Sequence, residues 1–168
     1  MRLKARGHKG LSTRRRSAGD NRTVMAKRFD PGQGTQYSAR GSTITFKALG
    51  EDTGGAFSFL EREMPPGGRM PPPHRHEGPE AFYVLDGVLE FHVGDEVLQE
   101  TAGSFVLVPA KVAHTFGNTS DQPARLLTVH SPAADHYFAE LQELWSGAQP
   151  PTVEDERELQ RRHGLEPA

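Results

Sequence analysis

Histidine and glutamate side chains at metal-ligand spacing are the clearest chemical feature of this sequence. His74 and His76 are two residues apart, so on an extended strand both side chains point to the same face. Glu80 follows four residues later, across a Gly78-Pro79 kink, and His114 lies in a later predicted strand. Three imidazoles and a carboxylate suit one divalent transition metal, with Fe, Mn, Ni, Zn, Co and Cu all open. Because the chain has no cysteine, such a site would have to use these side chains.

The other histidines have plainer interpretations. A single histidine in a strand is usually a surface residue, and a His-x-His pair by itself does not define a metal site. His92 alternates with apolar neighbours and is predicted to face solvent. His130 ends the last predicted strand, where a role in the pocket is open but unsupported by the sequence. The histidines of the predicted tail and helices are assigned no role, namely His8, His136 and His163.

The elements that would position these side chains are short strands joined by tight turns. Residues 42–46 and 56–60 alternate with a period of two. Asp86-Gly87 predicts a two-residue hairpin turn. Further strands are predicted over residues 80–85, 88–93, 96–98, 104–108, 112–116 and 125–130. Many short strands at close spacing indicate an all-β sandwich or barrel.

The C-terminal part of the chain changes to a helical pattern. Ser131-Pro132 is predicted to cap and begin a helix. Its apolar stripe would consist of Tyr137, Phe138, Leu141, Leu144 and Trp145. Thr152 with Asp155 resembles a capping box and predicts a surface helix over residues 153–162. The expected organisation is a β-barrel over residues 29–131 and a helical extension over residues 132–168.

Charge divides the chain into two unlike parts. Residues 1–28 hold ten Lys and Arg and one acid, a net charge of +9. The remaining residues hold ten bases and 21 acids, a net charge of −11. We expect residues 1–28 to be a disordered basic tail, either a solvated arm or a segment upstream of a natural start at Met25. A nucleic-acid-binding arm is disfavoured because the acidic body repels phosphate. No stretch approaches 18 apolar residues, so no membrane span is predicted.

A frame of glycine, proline and asparagine surrounds the candidate ligands. The first stretch reads Gly68, five residues, His74-x-His76, three residues, Glu80, six residues, Gly87. After 15 residues, the second reads Gly103, five residues, Pro109, four residues, His114, three residues, Asn118. These stretches resemble, in order, the two signature motifs of the cupin superfamily. The one departure is Lys111, which stands where the family usually has glycine and puts the local turn geometry in question.

The resemblance implies a small jelly-roll barrel with one divalent metal bound by His74, His76, Glu80 and His114. Water or substrate would take the remaining coordination positions. Among cupins, the chain is similar to small single-domain bacterial proteins of the quercetin 2,3-dioxygenase-like group. That similarity includes the Pro-rich approach over residues 71–76 and the helical extension. It also suggests a homodimer formed through barrel strands, and the absence of cysteine fits a reducing cytoplasm.

Strand parity extends the prediction to a substrate cavity. If Glu80 points inward, Phe82 does too, and His114 likewise brings Val112 and Phe116 inward. The candidate substrate-binding residues are Phe82, Val112 and Phe116, with Phe57, Phe59 and Met70 as further candidates, and ordinary barrel core is the alternative for all of them. An apolar, aromatic-rich cavity around an open metal would suit an apolar or aromatic small molecule.

Two classes of function follow from this site. The first is a metal-dependent dioxygenase acting on a flavonol-like or catechol-like aromatic molecule. Glu80 would then be a fixed ligand or, if it leaves the metal, a catalytic general base. The second is a non-oxidative metal cupin, such as an isomerase, or a small-metabolite-binding protein. No phosphate-binding cluster is evident, which disfavours a sugar-phosphate isomerase.

Overall fold

The structure is a computed structural model that describes residues 26–168, and its β-strands form a jelly roll. In chain order the strands are β1 (Thr35–Ala39), β2 (Ser42–Ala48), β3 (Ser58–Met64), β4 (His74–Arg75), β5 (Glu80–Asp86), β6 (Val88–Val93), β7 (Glu96–Thr101), β8 (Phe105–Val108), β9 (His114–Gly117), β10 (Ala124–His130) and β11 (Glu166–Pro167). The helices are α1 (Gly50–Thr53), α2 (Asp135–Trp145) and α3 (Val153–Arg162). Residues 1–25 of the predicted basic tail lie outside the described residues.

All the strand pairs in the two sheets are antiparallel. The six-stranded sheet has the order β1-β2-β3-β10-β5-β8, and the five-stranded sheet has the order β11-β4-β9-β6-β7. Strands distant in sequence are therefore neighbours, as in a jelly roll. The predicted all-β class is confirmed.

Buried and exposed residues alternate along β5, which shows which of its side chains point into the barrel. Glu80, Phe82 and Val84 are buried, whereas Tyr83 between them is 44% exposed. The same alternation along β6 places Leu89 and Phe91 in the core. The rings of Phe82, Phe91 and Phe116 lie 4.7–5.6 Å apart and fill the space between the sheets.

The C-terminal helices cover one end of the barrel. Phe138 and Leu141 of α2 and Leu159 of α3 pack against inward residues of β2 and β3 such as Phe46 and Leu60. Their apolar stripe is therefore part of a second core. After α3, strand β11 pairs with β4, with Pro167 opposite His74. The extension thus meets the strand that carries the first candidate ligand.

Two helix starts illustrate a correct and an incorrect prediction. α3 begins at Val153, and the Thr152 hydroxyl accepts a hydrogen bond from the Asp155 amide at 3.1 Å, as the capping box predicted. The prediction that Ser131-Pro132 begins α2 is wrong, because the helix starts at Asp135. Ser131 instead donates its hydroxyl to the Ala56 carbonyl at 3.0 Å, which holds this segment against the end of the barrel.

Lys111 adopts the backbone conformation that the family's glycine would favour. Its φ is +67°, in the left-handed region that is costly for residues with a Cβ. Its amide donates to the His76 carbonyl at 2.8 Å. The turn therefore keeps its shape despite the substitution. Within residues 26–168, no helix is both long and apolar enough to cross a bilayer.

Candidate metal centre

The four predicted ligands converge from both sheets. His74 on β4 lies directly opposite His114 on β9, and their ring centroids are 4.6 Å apart. His76 follows β4 immediately, and Glu80 is the first residue of β5 in the other sheet. One ligand atom from each residue lies within 4.8 Å of those of the other three. The cluster therefore lies between the two sheets.

Backbone carbonyls orient all three imidazoles. The Nδ1 atoms of His74, His76 and His114 lie 3.0, 2.7 and 3.0 Å from the carbonyl oxygens of Pro72, Gly78 and Val112, respectively. A carbonyl only accepts, so each Nδ1 carries the proton and each Nε2 is left as the metal-binding atom. Such contacts hold the rings before any ion binds.

Gly78 is required at the kink between His76 and Glu80. Its carbonyl accepts from His76, and a Cβ at this position would collide with the Ser131 carbonyl oxygen. The backbone can pass this close to Ser131 only without a side chain. Consequently the kink holds His76 beside Glu80, and their Nε2 and Oε2 atoms are 3.2 Å apart.

The Glu80 carboxylate is buried and surrounded by imidazoles. Its Oε2 atom lies 3.0 Å from His114 Nε2, and its Oε1 atom lies 2.9 Å from His130 Nε2. Burial opposes ionisation, but the charge of His130 and hydrogen bonds from His114, His130 and His76 hold the pKa of Glu80 well below its usual range. The carboxylate is therefore ionised at neutral pH.

His130 is a residue of this site, although the sequence alone did not support a role for it. It lies opposite Glu80 in the pairing of β10 with β5. Because a carboxylate accepts, His130 Nε2 carries the donated proton and occupies Oε1, which leaves Oε2 facing the other imidazoles. In the sequence, His130 is visible only as the last residue of a strand, which does not predict a site. The register of β10 with β5 is what brings it beside Glu80.

The donor set fits a divalent transition metal. Burial, with the neighbouring His114 imidazole as a second cause, lowers the pKa of His74 to about 4, so this ring is neutral at pH 7. The Glu80 charge and hydrogen bond outweigh burial and raise the pKa of His76. His114 Nε2 and Glu80 Oε2 form a hydrogen-bonded pair at 3.0 Å. A bound cation would take the place of the proton between these two atoms, as a histidine-carboxylate metal site requires.

The cluster opens into a cavity of about 400 Å³. His74, His76, Glu80 and His130 form one part of its wall, and much of the remaining wall is apolar. Residues of the C-terminal extension, including Tyr137 and Phe138, also line it. The volume is in the range of small-molecule sites.

The predicted substrate-binding residues occupy different places. Phe116 lines the cavity. Phe82 is 1% exposed and belongs to the core between the sheets, and Val112 packs against the same core. Met70 packs against Gly117. Phe57 is 42% exposed and precedes β3, and Phe59 alternates with the inward residues Ser58 and Leu60. Except for Phe116, none of the six is part of the cavity wall formed by the described residues.

Comparison with known proteins agrees with this architecture. Residues 60–130 match the Cupin_2 family model, which describes a cupin domain. A protein from Streptomyces coelicolor described as uncharacterised is 42% identical over 57 residues, which are 34% of this chain and 53% of that protein. The chain therefore matches only about half of this curated relative's length.

Two solved structures show the same fold. The polyketide cyclase RemF from Streptomyces resistomycificus is 26% identical, with a TM-score of 0.57 over 66% of this chain and 81% of that one. An RmlC-like cupin from Shewanella frigidimarina is 19% identical, with a TM-score of 0.57 over 67% of this chain and 96% of that one. Residues 60–130 are thus similar to a cupin domain, and the two solved structures share its fold.

Proposed function

We propose that this protein is a metal-dependent enzyme that acts on a small aromatic molecule, with dioxygenation of a flavonol-like or catechol-like substrate as its reaction. The observation that carries the proposal is the cluster of His74, His76, Glu80 and His114, because its first three members line a largely apolar cavity. A divalent metal there would act as a Lewis acid toward an enolate or phenolate oxygen and would support reaction with O₂.

The protein's own residues would hold the substrate and exclude water. Phe116 and Phe138 both line the cavity and offer aromatic surface to a bound molecule. The extension covers the barrel end and limits access of water to the cluster. Glu80 is best suited to a fixed role as ligand, because its low pKa makes it a weak base and three imidazoles hold it in place.

A second candidate is a non-oxidative reaction, such as a cyclisation or an isomerisation. The similarity to the polyketide cyclase RemF favours it, since that match covers 66% of this chain at 26% identity. His130, His136, Tyr137 and His163 also line the cavity, so groups able to donate or accept protons surround a bound molecule. Such groups serve proton transfer without an oxidant.

Oxygen consumption separates the two candidates. Protein loaded separately with Fe, Mn, Co, Ni, Cu or Zn is offered a panel of flavonols and catechols in an oxygen-electrode cell, with matched anaerobic incubations analysed by chromatography. The proposal expects stoichiometric oxygen uptake with at least one metal and substrate. Conversion that proceeds equally without oxygen supports the second candidate. Absence of uptake with every metal and substrate refutes the dioxygenase.

A further inference from the structure

A buried arginine shares the cavity with the candidate metal ligands. Arg62 lies on β3 with the inward parity of Ser58 and Leu60, and it is 3% exposed. Its guanidinium carbon lies 5.4 Å from the ring centroid of Phe116. Both residues line the cavity, so a molecule inside it would lie beside them.

Arg62 lacks the carboxylate partner that a buried arginine usually has. Its Nη2 atom donates to Ser42 Oγ at 3.3 Å, and its buried Nε atom has no hydrogen-bond partner. Within residues 26–168 no carboxylate lies at ion-pair distance from it. An unpaired buried charge costs free energy of folding. The presence of Arg62 in the cavity wall therefore indicates that an anion from outside the protein binds there.

Arg40 lines the same cavity, but its charge is neutralised by a carboxylate. Its Nε donates to Glu156 at 2.7 Å, and Nη2 forms a second, very short contact with the same carboxylate. Arg69 approaches the other Glu156 oxygen at 3.0 Å. Two arginines therefore already share Glu156, which leaves no acid for Arg62.

The charge balance of the cavity points in the same direction. Burial, and then the charge of Arg40, lower the pKa of Arg62 to about 9, which leaves the guanidinium charged at neutral pH. The ionised Glu80 is engaged by imidazoles, and a divalent metal on those residues would make the cavity more positive. An anionic group on the occupant would offset this charge.

We propose that Arg62 is the anion-binding group of the cavity, and that the occupant carries a carboxylate or a similar planar anionic group beside an apolar body. A guanidinium fork matches a carboxylate well because it can donate two parallel hydrogen bonds. The walls formed by Leu60, Phe116 and Phe138 would cover the apolar body. This inference rests on the proposed function and deepens it, since it narrows the proposed aromatic substrates to those that carry an acidic group.

Matched pairs of ligands that differ only in charge test this assignment. Benzoate and benzamide, with phenylacetate and phenylacetamide, are titrated by calorimetry into wild type, Arg62→Met and Arg62→Lys, each metal-free and metal-loaded. We expect wild type to prefer each acid over its amide by about tenfold or more. Arg62→Met should lose that preference, and Arg62→Lys should keep part of it.

Controls make each outcome decisive. Arg125→Met changes an exposed arginine of β10 that pairs with Glu61 and should leave the preference unchanged. Thermal unfolding checks that Arg62→Met is folded, and we expect its Tm without ligand to be at least that of wild type, because an unpaired buried charge has gone. No acid preference in wild type, or an undiminished preference in Arg62→Met, overturns the assignment. An Arg62-dependent preference in protein that never binds metal would refute the metal centre and leave the assignment standing.

Discussion

At the residue scale, the candidate centre depends on which atoms carry protons. Carbonyl acceptors at Nδ1 leave the Nε2 atoms of His74, His76 and His114 as the inward atoms. His130 holds one Glu80 oxygen and leaves the other facing those rings. The orientation of each imidazole is therefore determined by groups outside the ligand set, as is usual for metal-binding histidines.

Acid should destabilise the metal-free protein through His74. This group has a pKa of about 4 when folded and about 6.5 when unfolded. Between these values the unfolded chain binds more protons, so the free energy of unfolding falls as pH decreases from 6.5 to 4. The loss attributable to His74 is roughly 3 kcal/mol.

Urea denaturation of chelator-treated protein at several pH values measures this slope. The raised pKa of His76 acts in the opposite sense, with a stability contribution that is present below about 6.5 and lost above it. Glu80, whose pKa is lowered, loses its contribution only as pH falls below about 4.5. His74→Gln should therefore flatten the decline between pH 6.5 and 4, and an unchanged slope would contradict the role given to His74.

At the scale of elements, short connections place the ligands more than the long strands do. The kink at Gly78 and the turn at Lys111 both contact the segment around His76, since Gly78 contributes its carbonyl and Lys111 its amide. The C-terminal extension adds a further support. Gln160 of α3 donates to the Pro72 carbonyl at 2.9 Å, and this oxygen also accepts from His74 Nδ1.

Replacing Lys111 with glycine should stabilise the protein. The substitution relieves a left-handed conformation in a residue with a Cβ, and we expect a gain of about 1 kcal/mol in the free energy of unfolding. The exposed contact of Lys111 with Glu77 contributes little. Lys111→Ala removes the same contact and keeps the Cβ, so chemical denaturation should show no gain. Equal stability of the two variants would contradict this explanation.

Removing the charge of Glu156 should destabilise the packing of α3 on the barrel. Glu156 is fully buried and contacts Arg40 and Arg69, so Glu156→Gln leaves the buried guanidinium of Arg40 and the half-buried one of Arg69 without their acid. We expect a loss of roughly 3 kcal/mol in the free energy of unfolding. Glu154→Gln, an exposed change on the same helix, should cost at most about 0.5 kcal/mol. Similar losses in both variants would contradict the structural importance of the buried pair.

Sequence patterns predicted the elements better than the long-range pairings. The alternation of apolar and polar residues predicted β5 and β6 and their inner faces. The Thr152 capping box predicted the start of α3. The two-residue strands β4 and β11 are too short to show a period, and they form only because distant segments pair with them. The start of α2 was misplaced because tertiary contacts hold Ser131 outside the helix.

The difference between local patterns and long-range pairing also explains which site residues the sequence predicted. His74, His76, Glu80 and His114 are visible because their spacing is fixed by local sequence and by a family frame. The roles of His130 and Arg62 depend on cross-strand register and on burial, and a charged residue on the inner face looks like any other charged residue in the sequence. Phe57 was placed in the cavity on its type alone, whereas β3 begins only at the next residue.

At the scale of the whole molecule, an exposed apolar face lies next to an edge strand. Tyr83 of β5 and Phe105 of β8 are register partners, and they are 44% and 62% exposed. Leu107, two residues along β8, is 55% exposed on the same side. Among the described residues β8 ends the six-stranded sheet, so its outer edge is available for pairing. The predicted homodimer would use this face.

Substitution on that face tests the homodimer. Light scattering coupled to size-exclusion chromatography should give a dimer mass for wild type and a monomer mass for Phe105→Asp, because a buried carboxylate would oppose association. Val97→Asp is the matched control, since Val97 is similarly exposed at 63% on β7 in the other sheet, and it should remain a dimer. A monomeric wild type refutes the prediction, and a dimeric Phe105→Asp places the interface elsewhere.

The central claim is that four side chains from two sheets bind one transition metal. Mass spectrometry of the elements, on protein reconstituted with each candidate metal and then desalted, measures this directly. We predict close to one metal ion per chain in wild type and in His92→Ala, which removes a histidine outside the cluster. His76→Ala should retain only a small fraction of that metal. Near-stoichiometric metal in His76→Ala, or none in wild type with any of the metals, would contradict the claim.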